Sequence, residues 1–257
     1  GVVHAFSTRE GGVSRGCLSS LNFSVTQGDT PENVAENYRI AAAALGITPD
    51  QFVLSQQTHT TNIRVVTRAD RGKGVTVPRD YQDIDGLITN EPELMLVTSF
   101  ADCVPLYFYD PRTRSIGLSH SGWRGTAQRM GEVTVRALQE TFGSRPQDVI
   151  ACIGPCICRD CYEVGEEVAG EFRQTFSAAD AGRILTAKGA GKYLLDLPEA
   201  NRLILLAAGI LPEHLELSGL CTCCHSDWLF SHRATGGRRG NMCAFLMLKK
   251  PDATAGQ

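Results

Sequence analysis

Residues 94–126 read LMLVTSFADCVPLYFYDPRTRSIGLSHSGWRGT, and they predict a buried strand followed by a β-hairpin. Pro111 stands at the second position of the turn DPRTR, where its fixed φ suits a reverse turn. The flanking segments 105–109 and 115–120 have the length of two hairpin strands. The rest of the fold is therefore expected to assemble around this hairpin.

The predicted hairpin would bring a thiol and an imidazole together. If its centre lies midway along the turn, Pro105 pairs with His120 and Cys103 lies opposite Gly122. A thiolate and an imidazole are two of the ligands that zinc and copper accept in proteins. A buried thiol beside a hydrogen-bonded histidine is equally compatible with this register, so the hairpin alone leaves both interpretations open.

A third metal ligand is available in the polar segment 56–61, QQTHTT, which follows a predicted short strand. Its His59 lies in a loop at a strand end, where functional residues are common. With Cys103 and His120 it would supply three protein ligands and leave a fourth position open, as in catalytic zinc sites whose bound water titrates near neutral pH. Asp102, beside the thiol, could orient a ligand or transfer protons, although neighbours on a strand point to opposite faces. One interpretation is therefore metal ligation by these three residues, with Cys103, His120 and Asp102 in catalytic roles. The alternative is that His59 is a surface or hydrogen-bonded residue.

Two glycine-rich segments predict anion binding. Arg9 lies in segment 7–16, STREGGVSRG, where glycines let backbone amides approach a ligand. Segment 121–126, SGWRGT, joins a strand to an amphipathic helix, and a helix N-terminus favours an anion to which Arg124 would add a forked donor. The alternative is a solvated Arg9 and an Arg124 paired with a surface carboxylate. We predict both arginines as substrate-binding residues.

A group of six cysteines could form a structural zinc cluster. Its members are Cys156, Cys158, Cys161, Cys221, Cys223 and Cys224. The pair Cys158 and Cys161 has the C-x-x-C spacing of zinc sites. A chain of this size needs no metal to build a core, so we favour burial of some of these thiols as small apolar side chains.

Length and composition favour one globular domain. The chain has 257 residues, 42% of them hydrophobic, and it contains no internal repeat or composition break. We predict a single domain over residues 1–257. Strands outnumber helices, and hairpins lie among crossover helices, which predicts an α+β fold of layered mixed sheets with helices packed outside.

Charge and cysteine content exclude several classes of partner and location. A net charge of −3 argues against a nucleic-acid or anionic-membrane surface. The longest apolar run, residues 203–211, is far shorter than the roughly 20 residues that span a bilayer. Ten unevenly spaced cysteines in a chain of this size favour free or metal-bound thiols over a disulfide framework, and hence the reducing cytoplasm.

Taken in order, the motifs along the chain resemble one family. They are FSTREGGVSRG (6–16), LNFS (21–24), QTHT (57–60), DGLIT (85–89), ADCVPLYFYDP (101–111), SHSGWRGT (119–126), IGPCI (153–157), YEVG (162–165), LDLPEAN (195–201) and SHR (231–233). This series is similar to that of the laccase-domain family, also called multicopper polyphenol oxidases or YfiH-type proteins, whose members are described as purine nucleoside phosphorylases. The resemblance covers nearly the whole chain and implies a single α+β domain.

The resemblance also implies a chemistry. The family holds zinc with a histidine, a cysteine and a histidine, which by motif are His59, Cys103 and His120. The implied activity is phosphorolysis of adenosine, inosine, guanosine and 5′-methylthioadenosine to a free base and ribose 1-phosphate, with adenosine deamination as a companion reaction. The implied partners are therefore purine nucleosides and phosphate.

The older family name suggests a rival, a copper-dependent polyphenol oxidase. A four-copper laccase needs roughly two or three imidazoles per copper, which the six histidines of this chain do not supply. A single copper at the same three residues is chemically possible because two imidazoles and a thiolate suit either metal. A third class is a non-catalytic metal-binding protein. Sequence leaves the preferred nucleoside and the oligomeric state open.

Overall fold

The computed structural model describes residues 1–251, in which helices surround three β-sheets. The strands are β1 (Val2–Phe6), β2 (Phe52–Leu54), β3 (Ile63–Val65), β4 (Gly86–Thr89), β5 (Met95–Phe100), β6 (Val104–Asp110), β7 (Ser115–Ser121), β8 (Ile150–Ile153), β9 (Glu163–Gly165), β10 (Leu185–Gly189), β11 (Lys192–Leu195), β12 (Leu215–Leu217) and β13 (Met242–Leu248). The helices are α1 (Pro31–Leu45), α2 (Trp123–Ala127), α3 (Met130–Phe142), α4 (Glu166–Thr175), α5 (Ala178–Ile184), α6 (Leu197–Ala207) and α7 (His232–Thr235). No helix among these described residues is long and apolar enough to cross a membrane.

The sheets are mixed. Their strand orders are β1-β13-β5-β2, β12-β8-β6-β7-β4-β3 and β10-β11-β9. Most neighbours are antiparallel, but β2 and β5, β3 and β4, and β8 and β12 pair in parallel. The predicted α+β class with mixed sheets and outer helices is confirmed.

The two larger sheets pack face to face, and the alternation of strand side chains explains how. On β5, Leu96 lies with Leu118 of β7 in the apolar layer between the sheets. Its neighbours Met95 and Val97 point the other way and pack with Tyr38 of α1, as the two-residue period of a strand requires. The four-stranded sheet is therefore buried on both faces.

The six-stranded sheet is covered on its other face by helices. Leu106 and Phe108 of β6 pack there with Leu138 of α3 and Ile204 of α6. The layers thus run from α1 through the two sheets to α3 and α6. Because β6 and β7 lie in the middle of this stack, the loops at their ends are held by buried strands.

The predicted hairpin is confirmed in its register. Strands β6 and β7 pair antiparallel, with Pro105 opposite His120. The turn is fixed by Asp110, whose carboxylate accepts hydrogen bonds from the backbone N–H groups of Arg112 (2.8 Å) and Thr113 (3.3 Å). Local turn chemistry was therefore sufficient to predict this pairing.

Two segments complete the small third sheet. Glu163–Gly165 pairs with β11, so helix α4 begins only at Glu166. Residues 188–192 close the β10–β11 hairpin, with Ala190 and Gly191 at its turn. Gly189 (φ 90°) and Gly191 (φ 68°) adopt the left-handed conformation there, which costs glycine little. In this small third sheet, the β9–β11 pairing joins segments distant in sequence, whereas the β10–β11 hairpin is local.

Candidate metal centre

Three side chains from separate segments converge at one end of the layer between the sheets. His120 lies near the end of β7, Cys103 in the β5–β6 connection and His59 in the loop after β2. Their ligand atoms all lie within 4.8 Å of one another. A zinc ion with bonds of about 2.0–2.3 Å places its ligand atoms roughly 3.3–3.8 Å apart, so this group can close around a single ion with little adjustment. We call it the histidine–cysteine centre.

Burial differs among these three side chains in a way that leaves one side open. His120 is buried, Cys103 is half-buried and His59 is exposed. Two imidazoles and a thiolate leave one position of a tetrahedron for water or substrate. The donor set therefore fits a catalytic metal better than a closed structural one.

Asp85 links both histidines through one carboxylate. Nδ1 of His120 donates to its Oδ1 at 2.8 Å, which leaves Nε2 for a metal. The same carboxylate accepts from the backbone N–H groups of Thr58 (3.0 Å), His59 (3.1 Å) and Thr60 (3.0 Å). A carboxylate that orients a ligating histidine is the usual second layer of a zinc site.

Sequence analysis did not single out Asp85, which it included only within the motif DGLIT. The signal that could have found it is the pairing of β4 with β7, in which Gly86 lies opposite Ser119. This register sets Asp85 next to His120 across the two strands, and the backbone N–H of His120 donates to the Asp85 carbonyl at 2.8 Å.

Charge at the centre favours a thiolate. Burial alone would raise the pKa of Cys103, but the imidazoles of His120 and His59 outweigh it and lower that pKa to about 6. Burial would lower the pKa of His120, but the Cys103 thiolate and the Asp85 carboxylate raise it to about 9. Without metal, the pair is therefore a thiolate beside an imidazolium, and metal binding must displace the imidazolium proton.

Two non-glycine residues at the centre have a left-handed backbone, His59 with φ 66° and Asp102 with φ 88°. Such conformations cost of order 1–3 kcal/mol and persist where surrounding contacts impose them. Asp102 is fixed by two hydrogen bonds to its carboxylate, from Thr222 Oγ1 at 2.6 Å and from the backbone N–H of Arg233 at 2.7 Å. Its carbonyl accepts from Ile157 N at 3.0 Å. These contacts hold Asp102 in place and so orient the following residue, Cys103, while Asp102 itself is not among the converging ligand residues.

The histidine–cysteine centre borders a cavity of about 410 Å³, a size typical of small-molecule sites. Two cations line it, Arg79 and Arg239. Arg79 donates to the carbonyl of Ser55. Arg239 donates through Nη1 to Asn241, but its buried Nε has no hydrogen-bond partner among the described residues. A buried donor without a partner costs folding free energy unless a ligand accepts its hydrogen bond.

The two arginines predicted from sequence lie elsewhere. Arg9 donates to the carbonyls of Ser19 (2.8 Å) and Ser226 (3.0 Å) and covers the ring of Phe230. Arg124 is exposed, lies over Trp123 with 4.2 Å between its guanidinium carbon and the ring centroid, and forms no ion pair within residues 1–251. Neither residue lines the cavity described above. Their roles in substrate binding stay predictions, and Arg79 and Arg239 are cavity residues that sequence reasoning did not single out.

Replacing Asp85 by asparagine should weaken metal binding at the histidine–cysteine centre. The amide is nearly the same size but lacks the charge that fixes the His120 tautomer, and loss of such a partner typically costs 10–100-fold in metal affinity. Competition with a chromophoric chelator would measure the change. Asp83→Asn, in the same loop, is the matched control, and equal affinities for Asp85→Asn and the parent would contradict this role.

Comparison with known proteins places the chain in a family. The model of a family described as multi-copper polyphenol oxidoreductase laccase matches residues 3–249. The chain belongs to this family. Among its relatives is a protein named purine nucleoside phosphorylase YlmD from Bacillus subtilis, 38% identical over 97% of this chain and 89% of the relative.

Other members of the family extend the comparison to structure and to a second activity. The crystal structure of a Bacillus licheniformis protein named YfiH superposes with a TM-score of 0.92 at 36% identity, covering 96% of this chain and 93% of that one. A relative named as an adenosine deaminase, from an unknown prokaryotic organism, is 32% identical over 93% of this chain and 91% of its own length. Family membership extends over the histidine–cysteine centre and the surrounding sheets.

Proposed function

We propose that this chain is a purine nucleoside phosphorylase whose reaction takes place at the histidine–cysteine centre, with adenosine deamination as a companion activity. The observation that carries the proposal is the convergence of His59, Cys103 and His120 at a cavity that also contains two arginines. The names of the relatives support both reactions. Adenosine, inosine, guanosine and 5′-methylthioadenosine are the proposed substrates.

Zinc is the proposed metal, since two imidazoles and a thiolate with one open position suit catalytic zinc. Bound there, zinc would act as a Lewis acid and lower the pKa of a water molecule, which is the chemistry that purine deamination requires. Asp85 holds the His120 tautomer that presents Nε2, and Asp102 holds the Cys103 backbone in position. In this proposal Asp102 is a positioning residue.

Phosphorolysis needs a phosphate beside C1′, so that a C1′–O bond forms as the bond to the base breaks and the base leaves with a proton. Arg239 is our first candidate for holding that phosphate, because it lines the cavity and its buried Nε has no hydrogen-bond partner among the described residues. Guanidinium groups bind phosphate through charge-assisted, often paired hydrogen bonds. Arg79 lines the same cavity. Arg124 and Arg9 do not line it and are second candidates.

Arg239→Met should raise the KM for phosphate by about tenfold or more, because charge-assisted hydrogen bonds to phosphate are among the strongest. Adenosine deamination needs no phosphate and should fall less. Steady-state kinetics with phosphate as the varied substrate would show the difference. Arg136→Met, on the exposed face of α3, is the control for loss of one positive charge. A larger rise in KM for Arg124→Met or Arg9→Met would contradict the assignment to the cavity.

The function is tested by the products formed from adenosine with and without phosphate. Adenine and ribose 1-phosphate formed only in the presence of phosphate support phosphorolysis, and inosine formed in both reactions supports the companion deamination. Inosine as the sole product would reject the phosphorylase and leave a deaminase. Neither product, with oxygen consumed on addition of a phenol to copper-loaded protein, would favour the copper oxidase that the family description suggests.

A further inference from the structure

A second cluster of potential metal ligands lies outside the histidine–cysteine centre. It consists of Cys158, Cys161, Cys221 and Cys224, whose sulfur atoms all lie within 4.8 Å of one another. We infer that these four cysteines bind a structural zinc ion that fixes the loops holding Cys103 in place. We call this group the tetrathiolate site.

The spacing of the sulfur atoms fits a tetrahedral ion. The Sγ atom of Cys224 lies 4.0 Å from that of Cys158 and 3.5 Å from that of Cys161. Four thiolates at a Zn–S distance of about 2.3 Å form a tetrahedron with edges of about 3.8 Å. All four cysteines are free thiols in the structure. An iron–sulfur cluster would spread them farther apart, because its four thiolates are divided among two or four irons.

The sequence pattern agrees with this geometry. Cys221-Thr222-Cys223-Cys224 contains the same C-x-x-C spacing as Cys158-Arg159-Asp160-Cys161, a feature that our sequence analysis overlooked. Two such pairs joined by a long connection are the ligand pattern of structural zinc sites. Cys223 lies inside the second pair but outside the group of four.

The backbone supports a thiolate at Cys221. Its sulfur accepts hydrogen bonds from the backbone N–H groups of Cys158 at 3.2 Å and Cys224 at 3.4 Å. Such bonds stabilise the negative charge of a ligating sulfur and fix its position around the metal. The bond from Cys158 crosses between the two C-x-x-C segments, and the bond from Cys224 lies within the second segment, so the arrangement does not depend on one loop alone.

Both segments are anchored to neighbouring strands. Strands β8 and β12 pair in parallel, so the loops that follow them leave the same edge of the sheet. Beyond the strands, Cys156 and Cys221 form a further bridge, with Cys156 N donating to Leu220 O at 3.2 Å and Thr222 N donating to Cys156 O at 3.1 Å. A ligand set held by rigid backbone in this way needs little rearrangement to bind an ion.

The same two loops hold Asp102. Ile157, next to Cys158, donates its backbone N–H to the Asp102 carbonyl, and Thr222, next to Cys221, donates its hydroxyl to the Asp102 carboxylate. Asp102 directly precedes Cys103 of the histidine–cysteine centre. An ion at the tetrathiolate site would therefore stabilise the strained backbone that orients Cys103, without contact with substrate.

The test counts metal ions in variants that separate the two sites. The parent should hold about two ions per chain, and the variant His59→Ala/Cys103→Ala should hold about one. When Cys224→Ser is added to that variant, it should hold no ion, because structural zinc needs all four ligands. Cys223→Ser, in the same loop, is the matched control and should keep both ions. Cobalt bound to His59→Ala/Cys103→Ala should give the intense visible spectrum of a tetrahedral tetrathiolate. This measurement keeps all four cysteines of the tetrathiolate site, so it does not depend on the folding of a variant that lacks one of them.

Further outcomes overturn the inference. They are loss of all metal in His59→Ala/Cys103→Ala, iron in place of zinc, a disulfide within the group of four, and no tetrathiolate spectrum with cobalt. The structural role is tested separately with Cys161→Ser, which is expected to lower the thermal unfolding midpoint and the affinity of the histidine–cysteine centre for metal. An unchanged affinity there would reject the coupling through Asp102.

Discussion

Replacing Cys103 by alanine is expected to abolish metal binding at the histidine–cysteine centre and to lower adenosine turnover by about three orders of magnitude or more. The thiolate is the only anionic ligand of the centre, and its pKa of about 6 makes it available at neutral pH. A bound metal contributes several kcal/mol to such reactions, and each 1.36 kcal/mol is a factor of ten in rate. Turnover per folded chain and metal content measured on one preparation test the prediction.

The matched control for this variant is Cys17→Ala, which removes an exposed thiol distant from the centre in sequence. It should leave turnover and metal content unchanged. Circular dichroism shows whether each variant is folded. Parent-like turnover by folded Cys103→Ala would reject the centre as the reaction site, whatever metal the protein retains.

Gly122→Ala should lower turnover by about 10–100-fold although the residue supplies no ligand. A Cβ atom at this position would lie 3.0 Å from the Cys103 sulfur and 3.0 Å from Cδ2 of the His59 ring. Both are closer than ordinary van der Waals contact, so one ligand must move. Displacements near 1 Å in an active site can cost about 10²-fold. Steady-state kinetics and a metal-affinity titration would reveal the loss.

The control for this substitution is Gly125→Ala in the short helix α2, which Gly122 directly precedes. A Cβ there would meet its nearest neighbours, the carbonyls of His120 and Thr60 and the Met130 side chain, at 3.6–3.7 Å, which is ordinary contact. Its activity should stay close to that of the parent. Equal losses for Gly122→Ala and Gly125→Ala would indicate a general effect on α2 in place of crowding at the metal ligands.

The parts of the fold that were predictable are those specified locally. The hairpin register follows from a turn of five residues, and it places Cys103 near His120 before any long-range contact is known. The ends of helix α1 are also specified by neighbouring residues. Thr30 caps its N-terminus by accepting a hydrogen bond from Asn33 N at 3.2 Å, and Gly46 ends it with φ 69°. These signals require only neighbouring residues.

The parts that could not be predicted depend on contacts between distant segments. Asp85 reaches His120 only because β4 pairs with β7, and no local pattern reports that pairing. Arg239 enters the cavity from a polar loop with no distinctive motif. Arg9 lies in a glycine-rich loop that suggested anion binding, but its guanidinium contacts the Ser226 carbonyl, 217 positions away. The second C-x-x-C pair was visible locally and was overlooked.

The most direct test of the account is removal and return of zinc while adenosine phosphorolysis is followed. The chelated protein, folded and with its metal content measured, should lose turnover, and added zinc should restore it in the parent but not in Cys103→Ala. Such a result would tie the reaction to the histidine–cysteine centre. Full turnover by metal-depleted, folded parent protein would contradict the account.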